Sequence, residues 1–356
     1  MSFTILIIIL TVLAFVANLF LTRWYIHFAE RKKIVDVPIS RSSHTRITPR
    51  GGGAGFVIVS LIALLGFLIF YAISDPVINN GIFLFAALIG ISLLGWFDDM
   101  GNLPKRMRFT VQIICGLTVL LGIGSLVTFY IPLIVTVYAG IVGTLLGLIW
   151  IAGATNIYNF MDGVDGIASI QGVIAAFSWA AFGWLIEFEL LVIMNAVLLA
   201  TLLAFLRFNW PPASLFMGDV GSVFLGFWFA SMPFLAASYA SDMMIGDTIW
   251  FGAFVLWPFL FDGSFTIARR YKKGENILDA HRSHLYQRLN IAGYSHKHIT
   301  ILYACFAVIS SVFAFLFLQG SETLRFMSIA ILFVLSLGYA LQVQKIEDRN
   351  SQTVQD

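Results

Sequence analysis

Charge is what this sequence has least of. Asp, Glu, Lys and Arg make up 11% of its 356 residues, against 59% hydrophobic residues, and the mean hydropathy is +0.90. Soluble domains are roughly half apolar and a quarter charged, so a soluble globular class is excluded. Cysteine is nearly absent: Cys115 and Cys305 are the only two. Both fall in apolar runs without metal-ligand spacing and read as packing residues. Also missing is the alternation of apolar and polar residues over about ten positions that marks an outer-membrane barrel strand, which leaves helices as the spanning structure. No soluble domain, long linker, low-complexity tract or internal repeat is visible, and a net charge of +2 gives no basis for a nucleic-acid partner.

What is present is a succession of apolar runs of about 17–25 residues, each long enough to cross about 30 Å of hydrocarbon as a helix. They predict eleven spans, at 3–22, 53–73, 81–97, 110–127, 133–152, 167–186, 190–206, 222–240, 248–266, 299–318 and 326–343. The first has neither a basic leader nor a clear small-residue cleavage site, and reads as a span rather than a signal peptide. On this topology every one of the 21 Lys and Arg residues except Arg325 falls in a loop after an odd-numbered span or after the last one. The positive-inside rule puts those loops in the cytoplasm. The expectation is an all-α polytopic membrane protein with about eleven transmembrane helices, its N-terminus periplasmic and its C-terminus cytoplasmic, one domain over 1–344 and a polar tail over 345–356.

The polar residues gather in the five cytoplasmic loops. The first, DVPISRSSHTRITPRGGG (36–53), joins Arg41, Arg46 and Arg50 to hydroxyls and a glycine triplet. Arginine forks and unhindered backbone amides suit phosphate, while a positive-inside anchor and glycine-mediated helix packing are the plainer readings. The second, FDDMGNLPKRMRF (97–109), sets Asp98 and Asp99 at the end of a span, where the helix dipole disfavours them. Lys105, Arg106 and Arg108 could balance them, and so could a divalent cation with a phosphate ligand. The third, NIYNFMDGVDG (156–166), would align Asn159, Asp162 and Asp165 if helical, with Gly163 and Gly166 allowing close approach. A calcium loop is excluded because the remaining oxygen ligands are absent. The fourth, NWPPASLFMGDVGS (209–222), places Asp219 before a span, as an N-cap or a ligand. The fifth is the most basic and includes HRSHLYQRL (281–289). Its histidines with His296 and His298 do not read as a zinc site, since no cysteine is near and basic residues intervene.

Taken in order on one side of the membrane, these five motifs resemble the polyprenyl-phosphate N-acetylhexosamine-1-phosphate transferases, glycosyltransferase family 4, over residues 36 to about 290. The resemblance implies transfer of a sugar 1-phosphate from a UDP-N-acetylhexosamine to undecaprenyl phosphate in the bacterial inner membrane, with release of UMP. It implies a magnesium ion, or manganese in its place, and phosphoryl-transfer chemistry. Residue by residue, it makes Asp98 the group that orients or deprotonates the lipid phosphate and Asp99 its neighbour in support of the metal. Asp219 becomes the principal metal ligand and Asn159 an additional one. Asp162, Asp165, Asn156, Arg46 and Thr48 would meet the nucleotide or sugar, as would His281, Arg282 and Arg288. His284 joins the catalytic set, and Lys105 and Arg108 would hold the lipid phosphate. The family's H-x-H-H pattern is broken here by Tyr286 and Gln287. That departure resembles the subgroup that initiates O-antigen or other surface polysaccharides. Membrane lipid is an expected partner, and a homodimer is admitted.

Direct in-line attack is the mechanism implied, with a covalent aspartyl intermediate at Asp98 as its rival. Two other classes compete. A CDP-alcohol phosphotransferase is excluded because no Ala-Arg follows the Asp162-Gly163 element. A secondary transporter would place charges at mid-membrane in broken helices. Asp262, near the cytoplasmic end of a late span, is the only clear acidic residue of that kind.

Overall fold

The computed structural model describes residues 2–38, 46–71, 77–101, 103–125, 128–133, 135–138, 140–239, 245–276 and 281–353; Arg41 lies outside them. The chain runs α1 (Phe3–Lys32), β1 (Val35–Asp36), β2 (Thr48–Pro49), α2 (Ala54–Tyr71), α3 (Val77–Gly101) and α4 (Lys105–Gly122). A hairpin, β3 (Thr128–Ile131) and β4 (Val135–Tyr138), leads to α5 (Gly140–Phe160), α6 (Ile167–Leu185), α7 (Glu189–Asn209) and α8 (Asp219–Tyr239). Then come α9 (Ile245–Val255), α10 (Trp257–Lys272), the short α11 (Leu285–Ile291), α12 (His296–Gln319) and α13 (Glu322–Thr353). Both strand pairs are antiparallel, Val35 facing Pro49 and Thr128 facing Tyr138. The fold is that of an all-α polytopic membrane protein, with these two small ribbons as its departure from pure helix.

Among the described residues, eight helices are long and apolar enough to cross a membrane, or nine spans if the bent pair α9–α10 counts as one. A helix underlies each of the eleven expected runs, but two fall short. The apolar part of α2 is the shorter Ala54–Phe70, and α4 opens on Lys105, Arg106 and Arg108. The expected span 248–266 is not straight: it breaks at Leu256 and turns by 84°. Pro258 in the first turn of α10 is the physical cause, since it has no amide to donate and its ring crowds the preceding turn. The expected start of a span at 133 is also displaced, because the β3–β4 hairpin occupies the chain up to Tyr138. At the other end, α13 carries the polar residues from Lys345 as far as Thr353 as a continuation of the helix.

α8 is the centre of the bundle, packed against α2, α3, α5, α6 and α9. It is apolar nearly all round, as a helix with no exposed face should be. Between the helices, polar side chains pair with each other or with carbonyls rather than with lipid. Asn18 of α1 donates to the Thr201 carbonyl of α7 at 2.7 Å, the Trp228 indole of α8 donates to Asn195 of α7 at 3.1 Å, and Gln171 of α6 donates to the Val255 carbonyl at 2.8 Å. Such bonds add specificity where helix association has no hydrophobic drive of its own.

Candidate active site

Five connections meet at one end of the bundle around a cleft of about 370 Å³. Asp36 and Arg50 come from the ribbon between α1 and α2, Asp99 from the last turn of α3, and Asn159 from the last turn of α5. The α5–α6 connection adds Asp162 and Asp165, the start of α8 adds Gly218 and Asp219, and the segment around α11 adds Arg282, Gln287 and Asn290.

Asp99 is anchored rather than free. Its two oxygens accept the backbone amides of Asp219 and Val220, each at 3.0 Å, so it caps the orphan amides of α8 from another helix. Arg50 donates to the Asp99 carbonyl at 2.5 Å, and Tyr25 donates to the Arg50 carbonyl at 3.0 Å, which fixes the ribbon against α3. Asp98 is nearly inaccessible and does not line the cleft. One of its oxygens takes Arg108 at 2.7 Å and the Leu103 amide at 2.9 Å, and its carboxyl lies against that of Asp219.

Asp162 and Asp165 do not share a helix face. α5 ends at Phe160, and both aspartates sit in the turn before α6, where Gly166 adopts φ +77°. Helix continuation is poor through two glycines, and the positive φ is one that glycine adopts without strain. Asp165 is pinned by the Ala213 amide at 3.0 Å and by His296 at 3.2 Å, one of the histidines of the rejected zinc site. Asp162 is left among like charges. Desolvation within the cleft, reinforced by Asp219, Asp99 and Asp165, pushes its carboxyl up to about 7. Asn159 accepts the Ser222 hydroxyl at 2.6 Å.

The glycine triplet is not an open phosphate nest. The amides of Gly52 and Gly53 are donated to the Phe216 and Met217 carbonyls at 2.9 and 2.8 Å. A Cβ on Gly53 would stand 2.4 Å from the Gly221 Cα, so the triplet serves close packing of α2 on α8. Arg46 and Thr48 line a second hollow of about 490 Å³, which shares Asp165 and Phe216 with the first and adds His296 and Lys297.

The remaining expected residues are dispersed. Asn156 forms an amide pair with Gln112 of α4, 2.7 Å in its shorter bond. Lys105 is exposed at the start of α4, and Arg108 is spent on Asp98. His281 faces Ser283 at 2.9 Å, and burial together with His284 and Arg270 lowers its pKa to about 4, so it is neutral at pH 7. His284 is buried with Nδ1 3.1 Å from Asp262, and Arg288 is buried in an ion pair with Glu347 of α13. Of the fifth-loop set only Arg282 lines the cleft. Sequence reasoning passed over Gln287 and Asn290. The break in the histidine pattern at Gln287 was the signal available for one of them, and Asn290 carried none.

A model of glycosyl transferase family 4 matches residues 81–237, which contain the Asp98–Asp99, Asp162–Asp165 and Asp219 segments. The chain is 29% identical over 301 residues to the probable undecaprenyl-phosphate N-acetylglucosaminyl 1-phosphate transferase of Bacillus subtilis, covering 84% of this chain and 82% of that one. It is 30% identical over 310 residues to the decaprenyl-phosphate N-acetylglucosaminephosphotransferase of Mycobacterium leprae, with 77% and 74% covered. Over 259 residues it is 26% identical to the phospho-N-acetylmuramoyl-pentapeptide-transferase of Streptococcus mutans, with 67% and 75% covered. With its cleft of aspartates at one end of a helical membrane bundle and relatives of this kind along most of its length, the chain belongs to glycosyl transferase family 4, the polyprenyl-phosphate hexosamine-1-phosphate transferases.

Proposed function

We propose that this protein transfers an N-acetylhexosamine 1-phosphate from a UDP-sugar to undecaprenyl phosphate, giving the lipid pyrophosphate sugar and UMP, at the cytoplasmic face of a bacterial inner membrane. The product would initiate a surface polysaccharide such as O-antigen. One observation carries the reading: the oxygen donors Asp99, Asn159, Asp162 and Asp219 and the cations Arg50 and Arg282 line one cleft together. A polyanionic donor and a phosphate acceptor need both signs of charge in one place. The clustering of basic residues in loops at this end supports a cytoplasmic orientation.

The donor set suits magnesium. It contains only oxygen ligands, and burial with the carboxylates of Asp219, Asp99 and Asp165 nearby raises the pKa of Asp162, a concentration of negative charge that a divalent cation would relieve. Among the described residues no group of three or more His, Cys, Asp and Glu forms a cage complete in itself. Magnesium takes one or two protein carboxylates and fills its shell with water and phosphate oxygens. Asp219 and Asn159 are the residues proposed to hold it, with Asp99 orienting Asp219 through its backbone. Bound there, the ion would neutralise charge on the diphosphate.

The chain's own groups then divide the work. Arg282 and Arg50 bind phosphate oxygens, and Lys105 receives the acceptor's phosphate at the edge of α4. Asp98 is occupied by Arg108 and the Leu103 amide, which supports a role in orienting the acceptor rather than as a nucleophile. Direct attack of the lipid phosphate on the sugar-bearing phosphorus follows. The test is release of UMP by detergent-purified protein given undecaprenyl phosphate, magnesium and a panel of UDP-N-acetylhexosamines. Lipid-dependent release names the sugar. Absence of release with every donor, from folded protein, rejects the reading.

A further inference from the structure

Asp262 is a buried carboxylate for which the proposed reaction has no use. It lies on α10, is 1% exposed and does not line the cleft. An ionised carboxylate in that setting needs several donors at once, and it has them. Oδ1 accepts the Leu285 amide at 2.8 Å and the Thr266 hydroxyl at 3.2 Å, with His284 Nδ1 at 3.1 Å. Oδ2 accepts the Tyr303 hydroxyl at 2.5 Å and the Tyr286 amide at 3.2 Å, and Tyr339 donates to Tyr303 at 3.2 Å. Three of these partners, His284, Leu285 and Tyr286, are consecutive residues at the start of α11.

A seven-residue helix has no stability of its own in water or at a membrane surface. α11 is therefore held from outside, and its orientation is whatever its anchors impose. Asp262 fixes the first turn. Tyr286 donates to the Phe160 carbonyl at 3.0 Å and covers Gly163, where a Cβ would meet its hydroxyl, so the same turn bears directly on the Asp162 loop. Arg288, on the far side, is tied to Glu347. With those faces occupied, Gln287 and Asn290 are the residues turned to the cleft.

We propose that Asp262 is a positioning residue for the donor substrate: by holding the start of α11 it sets the wall formed by Gln287 and Asn290 and the lie of the Asp162 loop beneath Tyr286. The proposal rests on the reading of the cleft as the UDP-sugar site. Asp98, Lys105 and Arg108 stand on α3 and α4, outside this assembly, so the lipid acceptor's side is not under its control.

The experiment has two arms. In the first, hydrogen exchange is followed in detergent-purified wild type and Asp262→Asn, comparing the amides of Leu285–Ile291 with those of α5 and α8. Faster exchange confined to α11 is expected; unchanged exchange there overturns the proposal, as does loss of protection throughout. In the second arm, initial rates of UMP release are measured while UDP-sugar and undecaprenyl phosphate are varied separately. The KM for the donor should rise roughly tenfold, as for loss of hydrogen bonds to a charged group, while that for the lipid stays within about twofold. An equal rise in both, or a fall in kcat alone, overturns it. Should Asp262→Asn fail to fold, Tyr303→Phe removes a single hydroxyl from the same carboxylate and is read in the same two ways, with a smaller shift. If wild type releases no UMP with any donor, the reading of the cleft has failed on its own, and the exchange arm decides whether Asp262 holds α11.

Discussion

The Asp99 carboxylate receives the backbone amide of Asp219 at 3.0 Å, so the acid at the end of one helix fixes the first residue of another. The pair of aspartates at the end of α3 thus divides its labour: Asp98 turns to Arg108 and Asp99 to α8. Replacing Asp99 with Ala strands two amides and should cost about 1–2 kcal/mol, the range for loss of an N-cap. It should also abolish UMP release. Thermal unfolding in detergent beside a turnover assay checks both. A variant that melts normally and turns over normally would show that the cap is dispensable.

Asp219→Ala and Asp98→Asn should separate chemistry from stability. Asp219→Ala relieves a carboxylate facing its own kind and is not expected to lower the melting temperature in chelator, whereas Asp98→Asn also removes the charge paired with Arg108 and should lower it modestly. Both should abolish lipid-dependent UMP release, and magnesium should raise the melting temperature of wild type but not of Asp219→Ala. Equal protection of both proteins by magnesium would move the metal elsewhere.

The raised pKa of Asp162 makes a signed pH prediction. The folded chain holds a proton there up to about pH 7, whereas an unfolded Asp gives it up near 4. Between those values the folded state binds more protons, so its stability falls as pH rises through the window and levels off above about 7. In chelator the melting temperature should therefore decline from about pH 5 to pH 8. Magnesium, competing with the proton, should flatten that decline. A melting temperature that climbs over this range would contradict the assignment.

Two glycines in α2 and its approach offer a matched comparison. A methyl group on Gly53 would lie 2.4 Å from the Gly221 Cα and 2.7 Å from its nitrogen, and backbone does not yield as a side chain does. Nothing stands within 4 Å of the same group on Gly66. Gly53→Ala should destabilise by about 1–3 kcal/mol or more, and Gly66→Ala should be neutral or stabilise by up to about 1 kcal/mol. The measurement is thermal unfolding of both variants in one detergent.

Apolar length alone made α1, α6, α7 and α12 legible, because a membrane imposes a single criterion on a run of residues. The same criterion misled at Leu256, where an apolar run conceals a right-angled turn and only Pro258 marks it. The convergence of Asp99, Asp162 and Asp219 could be read from their common side of the membrane. Which neighbouring residues would join them could not. Asn159, Asp162 and Asp165 have helical spacing, yet Gly163 and Gly166 end the helix first. On α11 no apolar stripe tells Gln287 from Arg288. Their opposite directions are set by Asp262 and Glu347, far off in sequence and on other helices, and no local pattern reports such a contact.

α8, which begins with Asp219, has 94% of its span buried within the protein, whereas α1, α12 and α13 have 11%, 33% and 28%. The outer helices therefore meet the acyl chains and must tilt or shift as the bilayer thickens or thins. The helix that carries the central aspartate touches almost no lipid and is sheathed by its own neighbours. The proposed reaction centre is in this sense mechanically insulated: changes in membrane composition reach α8 only through the packing of surrounding helices, while the isoprenoid tail of an acceptor would feel them directly.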